Sequence, residues 1–184
     1  LTTLTSLFKS IKLTHGKLDG LVCCSGYHEI RPLRACSEYS FTHSYEQNVL
    51  PSLMFAKQFS SALYSNPDSS VVFISSIAAI LGESGLLAYS SAKGALLSAT
   101  RSLAVELASK TRVNSILPGW VETSHAIKVK EILDEDTLVQ LQKSYPLGFG
   151  EPLDVAELAW FLLSEKSKWL TGQNIVLDGG RSLL

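Results

Sequence analysis

Short, continuous apolar runs alternate along this chain with longer segments whose apolar residues recur every three to four positions. The continuous runs predict strands covered on both faces, and the longer segments predict helices packed on them. The strands are predicted at Leu18–Cys24, Val71–Ile74, Arg112–Leu117 and Asn174–Leu177. The helices are predicted over Leu1–Leu13, Phe41–Tyr64, Gly85–Lys110, Leu153–Ser164 and the later part of Ser124–Tyr145, with Asn66-Pro67-Asp68 as a turn. This alternation is typical of an α/β fold with a parallel sheet.

Polar and glycine residues follow three of the predicted strands. The first ends in Cys24-Ser25-Gly26, the second in Ser75-Ser76 and the third in Pro118-Gly119-Trp120. Because ligands of open parallel sheets bind outside the carboxyl ends of the strands, we expect these three segments to line one site.

The predicted helix over Gly85–Lys110 is apolar around most of its circumference. Such a helix is buried on more than one side. One side can cover the sheet, and we expect the other to meet a second subunit. The sequence therefore predicts a homodimer or homotetramer formed through this helix.

Tyr89 and Lys93 stand four residues apart near the start of the same helix. Residues at this spacing share a helix face, and a nearby cation favours the phenolate, so we expect Lys93 to lower the pKa of Tyr89. A phenol so tuned can exchange protons near neutral pH. The ordinary alternative is a surface pair on a helix, because the spacing by itself is common.

Composition limits the class of protein. The chain has 184 residues, of which 46% are hydrophobic and 18% charged, so we expect one folded domain with a sizeable core. The formal net charge of −1 gives no reason to expect nucleic acid or an anionic membrane as a partner. No apolar run has the length of a membrane span.

Neither the cysteines nor the histidines have metal-site spacing. Cys23, Cys24 and Cys36 are read as reduced thiols of a cytoplasmic protein, because two are adjacent and the count is odd. His15, His28 and His43 are read as structural or surface residues, and no metal site is predicted.

Five motifs occur in a fixed order along the chain. They are Asn48 in a helix, Ser76 thirteen residues before Tyr89, Tyr89-Ser90-Ser91-Ala92-Lys93, Pro118-Gly119 with Thr123, and Thr171-Gly172-Gln173 through Asp178-Gly179-Gly180. With these motifs the chain resembles the short-chain dehydrogenase/reductase family over almost its whole length, and among its members most of all the 3-oxoacyl-carrier-protein reductases. The resemblance implies a single domain with a Rossmann-type doubly wound parallel sheet. It also implies an oxidoreductase that moves hydride between NAD or NADP and a small-molecule carbonyl or secondary alcohol.

The resemblance also implies roles for four catalytic residues. Tyr89 would be the general acid/base, and Lys93 would tune it and bind the nicotinamide ribose. Ser76 would donate a hydrogen bond to the substrate carbonyl, although Ser75 could take its place or Ser76 could simply cap the next segment. Asn48 would hold a proton-relaying water, and Pro51 should bend the helix beside it. The alternative for Asn48 is an ordinary polar residue on a helix.

The cofactor residues implied by the resemblance lie at the strand ends. They are Cys24, Ser25, Gly26, Tyr89, Lys93, Pro118, Gly119, Val121 and Thr123. For the residues after Pro118, a plain strand-ending turn is an alternative that can hold at the same time. The segment Ser124–Tyr145 would be a substrate lid, in which His125 either touches substrate or is an exposed loop residue.

The sequence departs from the family pattern in two places. The family's Asn-Asn-Ala-Gly is Cys23-Cys24-Ser25-Gly26 here, so the asparagine hydrogen bonds are lost while the glycine remains. The Gly-rich turn that binds the pyrophosphate is absent. We therefore expect residues 1–184 to be the C-terminal, catalytic and substrate-binding part of one NAD(P)-binding Rossmann-fold domain whose N-terminal strands, roughly 60 residues, are missing. Such a chain should bind dinucleotide poorly, and the residues that choose NAD or NADP are not in it.

Two other functions use the same fold. An epimerase or dehydratase of the family would use the same tyrosine. A non-catalytic scaffold or cofactor sensor would keep only the fold, and it would have no need of Asn48, Ser76, Tyr89 and Lys93 together.

Overall fold

Four parallel strands form the sheet in the computed structural model, which describes residues 2–184 and all their side chains except those of Thr2 and His125. The strands are β1 (Leu18–Cys23), β2 (Ser65–Ile74), β3 (Thr111–Pro118) and β4 (Asn174–Leu177). Their order in the sheet is the same as their order in the chain, and each neighbouring pair is parallel. The predicted α/β fold with a parallel sheet is confirmed.

Helices precede and connect the strands. They are α1 (Thr2–His15), α2 (Glu38–Asn48), α3 (Leu50–Phe59), α4 (Leu87–Leu107), α5 (Ser124–Lys130), α6 (Glu135–Lys143) and α7 (Pro152–Leu163). Short 3-10 turns lie at Leu33–Ala35, Ile77–Ala79, Glu165–Ser167 and Arg181–Leu183.

Alternate residues of β2 face opposite helical layers. Val71 and Phe73 pack in one cluster with Phe59 of α3 and Leu96 of α4. Val72, between them, packs in another cluster with Leu162 of α7. All six side chains are almost fully buried. Both faces of the strand are therefore covered, which explains why its sequence is continuously apolar.

Pro51 breaks the predicted helix over Phe41–Tyr64 into two. α2 ends at Asn48, and α3 begins at Leu50 with the proline in its first turn, where no backbone N–H is needed. Asn48 therefore stands at the end of α2, where its side chain reaches Tyr27 in the loop after β1. The predicted effect of Pro51 is seen as an interruption of the helix at Val49.

The predicted turn at Asn66-Pro67-Asp68 lies inside a strand. β2 begins at Ser65, which pairs with Leu18, and the pairing resumes between Ser70 and Gly20. The intervening residues bulge out of the sheet, with Asp68 at a φ of 61°. These three residues therefore do interrupt the pairing, but they lie within β2, which begins earlier than the predicted strand Val71–Ile74.

Candidate active site

Tyr89 lies in the first turn of α4, with its phenol against the end of β2. The hydroxyl of Ser76 hydrogen-bonds the phenol, and the ring is largely covered by protein. Burial raises the pKa of Tyr89; the Ser76 hydrogen bond opposes this shift, while the nearby Glu83 carboxylate adds to it. The pKa of Tyr89 is therefore raised and not lowered as predicted, because burial dominates and the Lys93 ammonium lies 5.9 Å from the centre of the ring. Tyr89 is consequently a neutral phenol at neutral pH.

Lys93 is buried one helical turn further on, with only 3% of its surface exposed. Its Nζ donates to the carbonyl of Ile74 at 3.0 Å and to that of Ser25 at 3.3 Å. Burial lowers the pKa of Lys93 to about 8, and the neighbouring Cys24 thiol works in the opposite direction. The ammonium thus joins the carboxyl ends of β1 and β2 and retains a third proton for another acceptor.

The two serines that follow β2 have different partners. The Ser75 hydroxyl is buried and donates to the backbone carbonyl of Lys93 at 2.9 Å, so it anchors α4 to the strand end. The Ser76 hydroxyl accepts from the Ala78 amide at 3.1 Å and also contacts the Tyr89 phenol. Ser76 therefore caps the following turn and also reaches Tyr89, whereas the Ser75 hydroxyl is occupied by the backbone of α4.

Asn48 is fully buried, and its side-chain amide is occupied by backbone groups. Its Oδ1 accepts from the Tyr27 amide at 3.0 Å, while its Nδ2 donates to the Tyr27 carbonyl and the Ser44 carbonyl, both at 2.9 Å. The side chain consequently clamps the loop after β1. Both Nδ2 protons are used in this way, so a water bound by Asn48 would have to donate to its backbone carbonyl or to the second lone pair of Oδ1.

Ser52 of α3 holds the end of β1, where the family has asparagines. Its hydroxyl lies 3.3 Å from the Ser25 hydroxyl, and its carbonyl accepts a weak hydrogen bond from the Cys23 thiol at 3.9 Å. Cys23 is buried, which raises the pKa of its thiol to about 12 and makes it unreactive. Cys24 is exposed beside Lys93. Nothing in the sequence pattern identified Ser52.

The turn after β3 is packed tightly against the chain beyond it. The amide of Gly119 donates to the Leu177 carbonyl at 2.9 Å, and the Tyr145 phenol oxygen accepts from the Trp120 amide at 3.0 Å. Thr123 caps α5 by accepting from the Ala126 amide. A cavity of about 260 Å³ opens beside this turn. Its walls include Trp120, Val121, Phe149, Leu177 and Asp178.

Gly119 has no room for a side chain, and this gives a testable prediction. A Cβ at this position would lie 2.8 Å from Tyr145 Cε1 and 3.0 Å from the Asp178 backbone. We expect Gly119→Ala to lower the free energy of unfolding by about 1–3 kcal/mol, because backbone and a ring must move. Urea denaturation measures the change. Gly82→Ala is the matched control, since a Cβ there would have no neighbour within 4 Å. Equal stability of the two variants would contradict the prediction.

The predicted lid consists of two short helices tied to the site. Lys130 of α5 forms an ion pair with Glu122, and its Nζ lies 4.5 Å above the centre of the Phe149 ring. These contacts fasten the lid to the turn after β3. The His125 side chain lies outside the described part of the structure, so its predicted contact with substrate stays a prediction.

Two histidines predicted as structural or surface residues have aromatic partners. The His43 ring stacks on Tyr39, with their centres 5.1 Å apart. The His28 ring packs edge to face with Tyr89, with their centres 4.9 Å apart. His28 therefore belongs to the site, which its position in a loop without periodicity did not indicate.

Metal-ligand clusters and membrane-spanning helices are both absent from the described part of the chain. No three histidine, cysteine or acidic side chains come close enough together there to hold a metal ion. None of the helices described combines the length and apolar character that crossing a bilayer requires.

Comparison with known proteins assigns the family. A family model described as Enoyl-(Acyl carrier protein) reductase matches residues 2–182. The 3-oxoacyl-[acyl-carrier-protein] reductase of Bos taurus is 33% identical over 178 residues, which are 96% of this chain and 71% of that protein. The enzyme of the same name from Chlamydia pneumoniae is 32% identical over 90% of this chain and 66% of its own length. The chain belongs to the short-chain dehydrogenase/reductase family of oxidoreductases.

Solved structures share the fold. A short-chain dehydrogenase/reductase from Brucella melitensis, described as a glucose/ribitol dehydrogenase, superposes with a TM-score of 0.89 at 28% identity, covering 98% of this chain and 71% of that one. A 7α-hydroxysteroid dehydrogenase complexed with NADH and a 7-oxo bile acid gives a TM-score of 0.85 at 26% identity, covering 97% and 69%. These likenesses confirm the predicted Rossmann-type fold.

Proposed function

We propose that this protein is an oxidoreductase that transfers hydride between a nicotinamide cofactor and a carbonyl or secondary alcohol, with Tyr89 as the general acid/base. The observation that carries the proposal is one cluster at the carboxyl ends of β1 and β2. In it, the Ser76 hydroxyl touches the Tyr89 phenol, and the buried Lys93 ammonium lies beside the same ring. Family membership supports the same chemistry.

The protonation state of Tyr89 suits the reductive direction. Because burial keeps the phenol neutral, Tyr89 can donate its proton to a carbonyl oxygen that becomes an alkoxide. The Ser76 hydroxyl can donate a second hydrogen bond to that oxygen and stabilise its developing charge. To do so, Ser76 must exchange its hydrogen bond with Tyr89 for one with the substrate. In the oxidative direction, Tyr89 would accept the proton back.

The residues at the strand ends fit a nicotinamide cofactor. Lys93 has one ammonium proton left after its two carbonyl contacts, which suits a ribose hydroxyl. Gly26 leaves the Lys93 ammonium open to a ligand, because a Cβ at this position would lie only 3.4 Å from Lys93 Nζ and would cover it. Cys24, Ser25 and Gly26 would border the cofactor on one side, and Pro118, Gly119, Val121 and Thr123 on the other. When bound, the cofactor would supply or accept the hydride.

The cofactor and substrate classes are part of the proposal. NAD or NADP would serve, as supported by the NADH complex of the hydroxysteroid dehydrogenase. The two 3-oxoacyl-[acyl-carrier-protein] reductases favour a 3-oxoacyl thioester as the first substrate to test. The epimerase, dehydratase and scaffold alternatives have no observation in the structure that favours them.

The test is an assay of the purified full-length protein with NADH and with NADPH, offering a short 3-oxoacyl thioester and a panel of secondary ketones. We expect loss of the reduced-nicotinamide absorbance that depends on at least one of these substrates. Absence of turnover with every pair, from protein shown to be folded by circular dichroism, would contradict the proposed function.

The pH dependence of this activity gives a sharper prediction. The kcat/KM for the cofactor should fall as the pH rises through about 8, because Lys93 loses its charge there. Tyr89 should add no fall near this pH, since burial raises its pKa above the ordinary value of 10.0. A kcat/KM that is flat between pH 7 and pH 9 would contradict this role of Lys93.

We also propose the domain organisation, assembly and location that the sequence predicts. The described residues would be the catalytic and substrate-binding part of one dinucleotide-binding domain. The outer face of α4 would meet a second subunit in a homodimer or homotetramer; the exposed Leu87 and Val105 and the small Ser91, Gly94 and Ser98 support this. The free cysteines support a cytoplasmic location.

A further inference from the structure

The loop that follows β1 is fixed at two points that flank His28. On one side, the backbone N–H and carbonyl of Tyr27 are both bonded to the Asn48 side chain. On the other, the Arg31 amide donates to the Gly85 carbonyl at 2.8 Å. An ion pair between Arg31 and Glu29 adds a contact within the loop. His28 is therefore held by a short segment with little freedom to move.

Gly85 makes the second anchor possible. Its φ is 81°, and a Cβ at this position would lie 2.9 Å from Ile30 Cγ2. A side chain there would be strained by the backbone conformation and would push the loop away. Gly85 stands two residues before α4, so the same contact ties the loop to the helix start that carries Tyr89.

The His28 ring, held by this loop, packs against the Tyr89 ring. The two rings are 4.9 Å apart between centres, with 77° between their planes. This is the edge-to-face arrangement that aromatic pairs prefer. Tyr89 is thus restrained at its hydroxyl by Ser76 and at its ring by His28, while its backbone is fixed by α4. Lys93 and Glu83 are charged groups near the phenol, and Glu29 and Arg31 line a small pocket together with Tyr89.

We infer that His28 is a positioning residue for Tyr89, and that the Asn48 side chain acts on the reaction through the loop that holds His28. The inference rests on the proposed function and adds to it a residue outside the Asn48, Ser76, Tyr89 and Lys93 set. The His28 ring fixes the plane of the phenol, so that its proton is aligned with the substrate oxygen. A misplacement of about 1 Å at such a group can cost on the order of 100-fold in rate.

Two variants separate ring contact from proton chemistry. His28→Ala removes the ring, and we expect kcat to fall by about ten-fold or more with a KM for the carbonyl substrate within about two-fold of wild type. His28→Phe keeps an aromatic edge, and we expect it to restore kcat to within about three-fold of wild type. Wild-type kcat in His28→Ala would overturn the inference, as would an equal loss in both variants.

The coupling to Asn48 has its own test. We expect the loss of kcat in the double variant Asn48→Ala, His28→Ala to be smaller than the product of the two single losses. Each change removes the same restraint on the Tyr89 ring, since Asn48 acts on it only through His28. Losses that multiply would overturn the part assigned to Asn48. Thermal unfolding of each variant shows whether the fold is retained.

A measurement without turnover keeps this inference separate from the proposed function. In NMR spectra, the His28 ring protons of the wild-type protein should carry a ring-current shift that persists in Tyr89→Phe and disappears in Tyr89→Leu. An unchanged His28 spectrum in Tyr89→Leu would overturn the ring contact, whether or not the protein reduces any carbonyl. Presence of the contact together with an inactive wild-type protein would overturn the proposed function and, with it, the positioning role.

Discussion

Tyr89→Phe should reduce turnover by about a thousand-fold while leaving the fold intact. The substitution removes one hydroxyl, whose hydrogen-bond partner in the structure is the partly exposed Ser76. General acid/base groups typically contribute about 10²–10⁴-fold to rate, and Tyr89 is the only phenol placed against both Ser76 and Lys93 among the described residues. Steady-state kinetics with the substrate found in the cofactor assay measures the effect.

The control for this variant is Tyr39→Phe. Tyr39 lies on α2 with 68% of its surface exposed, so loss of its hydroxyl should change neither kcat nor stability. Circular dichroism and the melting temperature establish that both variants are folded. Normal turnover by Tyr89→Phe would show that another group handles the proton.

Lys93→Met should reduce kcat/KM for the cofactor by about 100-fold. The change removes the buried ammonium beside Tyr89, and with it the proton proposed to bind the ribose. Affinity for the cofactor, measured by fluorescence titration, should fall as well. Lys57→Met is a matched control, because Lys57 lies on the exposed surface of α3. A Lys93→Met protein with wild-type affinity and rate would remove Lys93 from the mechanism.

The same variant should alter how stability depends on pH. Burial lowers the pKa of Lys93 from 10.5 to about 8, so between these values the unfolded chain binds a proton that the folded chain has released. The wild-type free energy of unfolding should therefore rise with pH in this window, by about 1 kcal/mol from pH 8 to pH 9. Cys23 acts in the opposite direction above pH 9, because burial raises its pKa from 9.0 to about 12.

Lys93→Met should lack that rise, since methionine carries no proton to release. Urea denaturation of both proteins at pH 7, 8 and 9 tests the prediction. The relevant comparison is the difference between the two proteins at each pH, which cancels the titration of groups that do not interact with Lys93; Cys24 interacts with it, so both proteins are compared in a Cys24→Ser background. If the free energies of unfolding of the two proteins change with pH in the same way, the lowered pKa of Lys93 is contradicted.

The sheet and the order of the motifs could be predicted from the sequence because they depend on local patterns. Continuous apolar runs identified all four strands, and Pro51 located the break that places Asn48. Because ligands bind at the carboxyl ends of parallel strands, the sequence also predicts that Gly26, Ser76 and Tyr89 lie at one edge of the sheet. The beginning of β2 escaped this reasoning, because Asp68 bulges from a strand that continues on both sides.

The interactions that tune the site depend on contacts between distant segments. Spacing correctly placed Lys93 near Tyr89, but the direction of the tyrosine pKa shift is decided by burial, which a sequence pattern does not measure. The support of β1 by Ser52 joins a strand to a helix 27 residues away. His28 reaches Tyr89 from a loop with no periodicity at all. Such contacts follow from the tertiary fold and not from the local sequence.

Isotope transfer tests the central claim most directly. A reduced cofactor carrying deuterium at both C4 positions of the nicotinamide is incubated with the wild-type protein and the preferred carbonyl substrate, and the alcohol product is analysed by mass spectrometry and NMR. We expect deuterium on the carbinol carbon and none from solvent at that position, with product formation lost in Tyr89→Phe. An alcohol whose carbinol hydrogen comes from water, or equal labelled product from Tyr89→Phe, would contradict hydride transfer with Tyr89 as the proton donor.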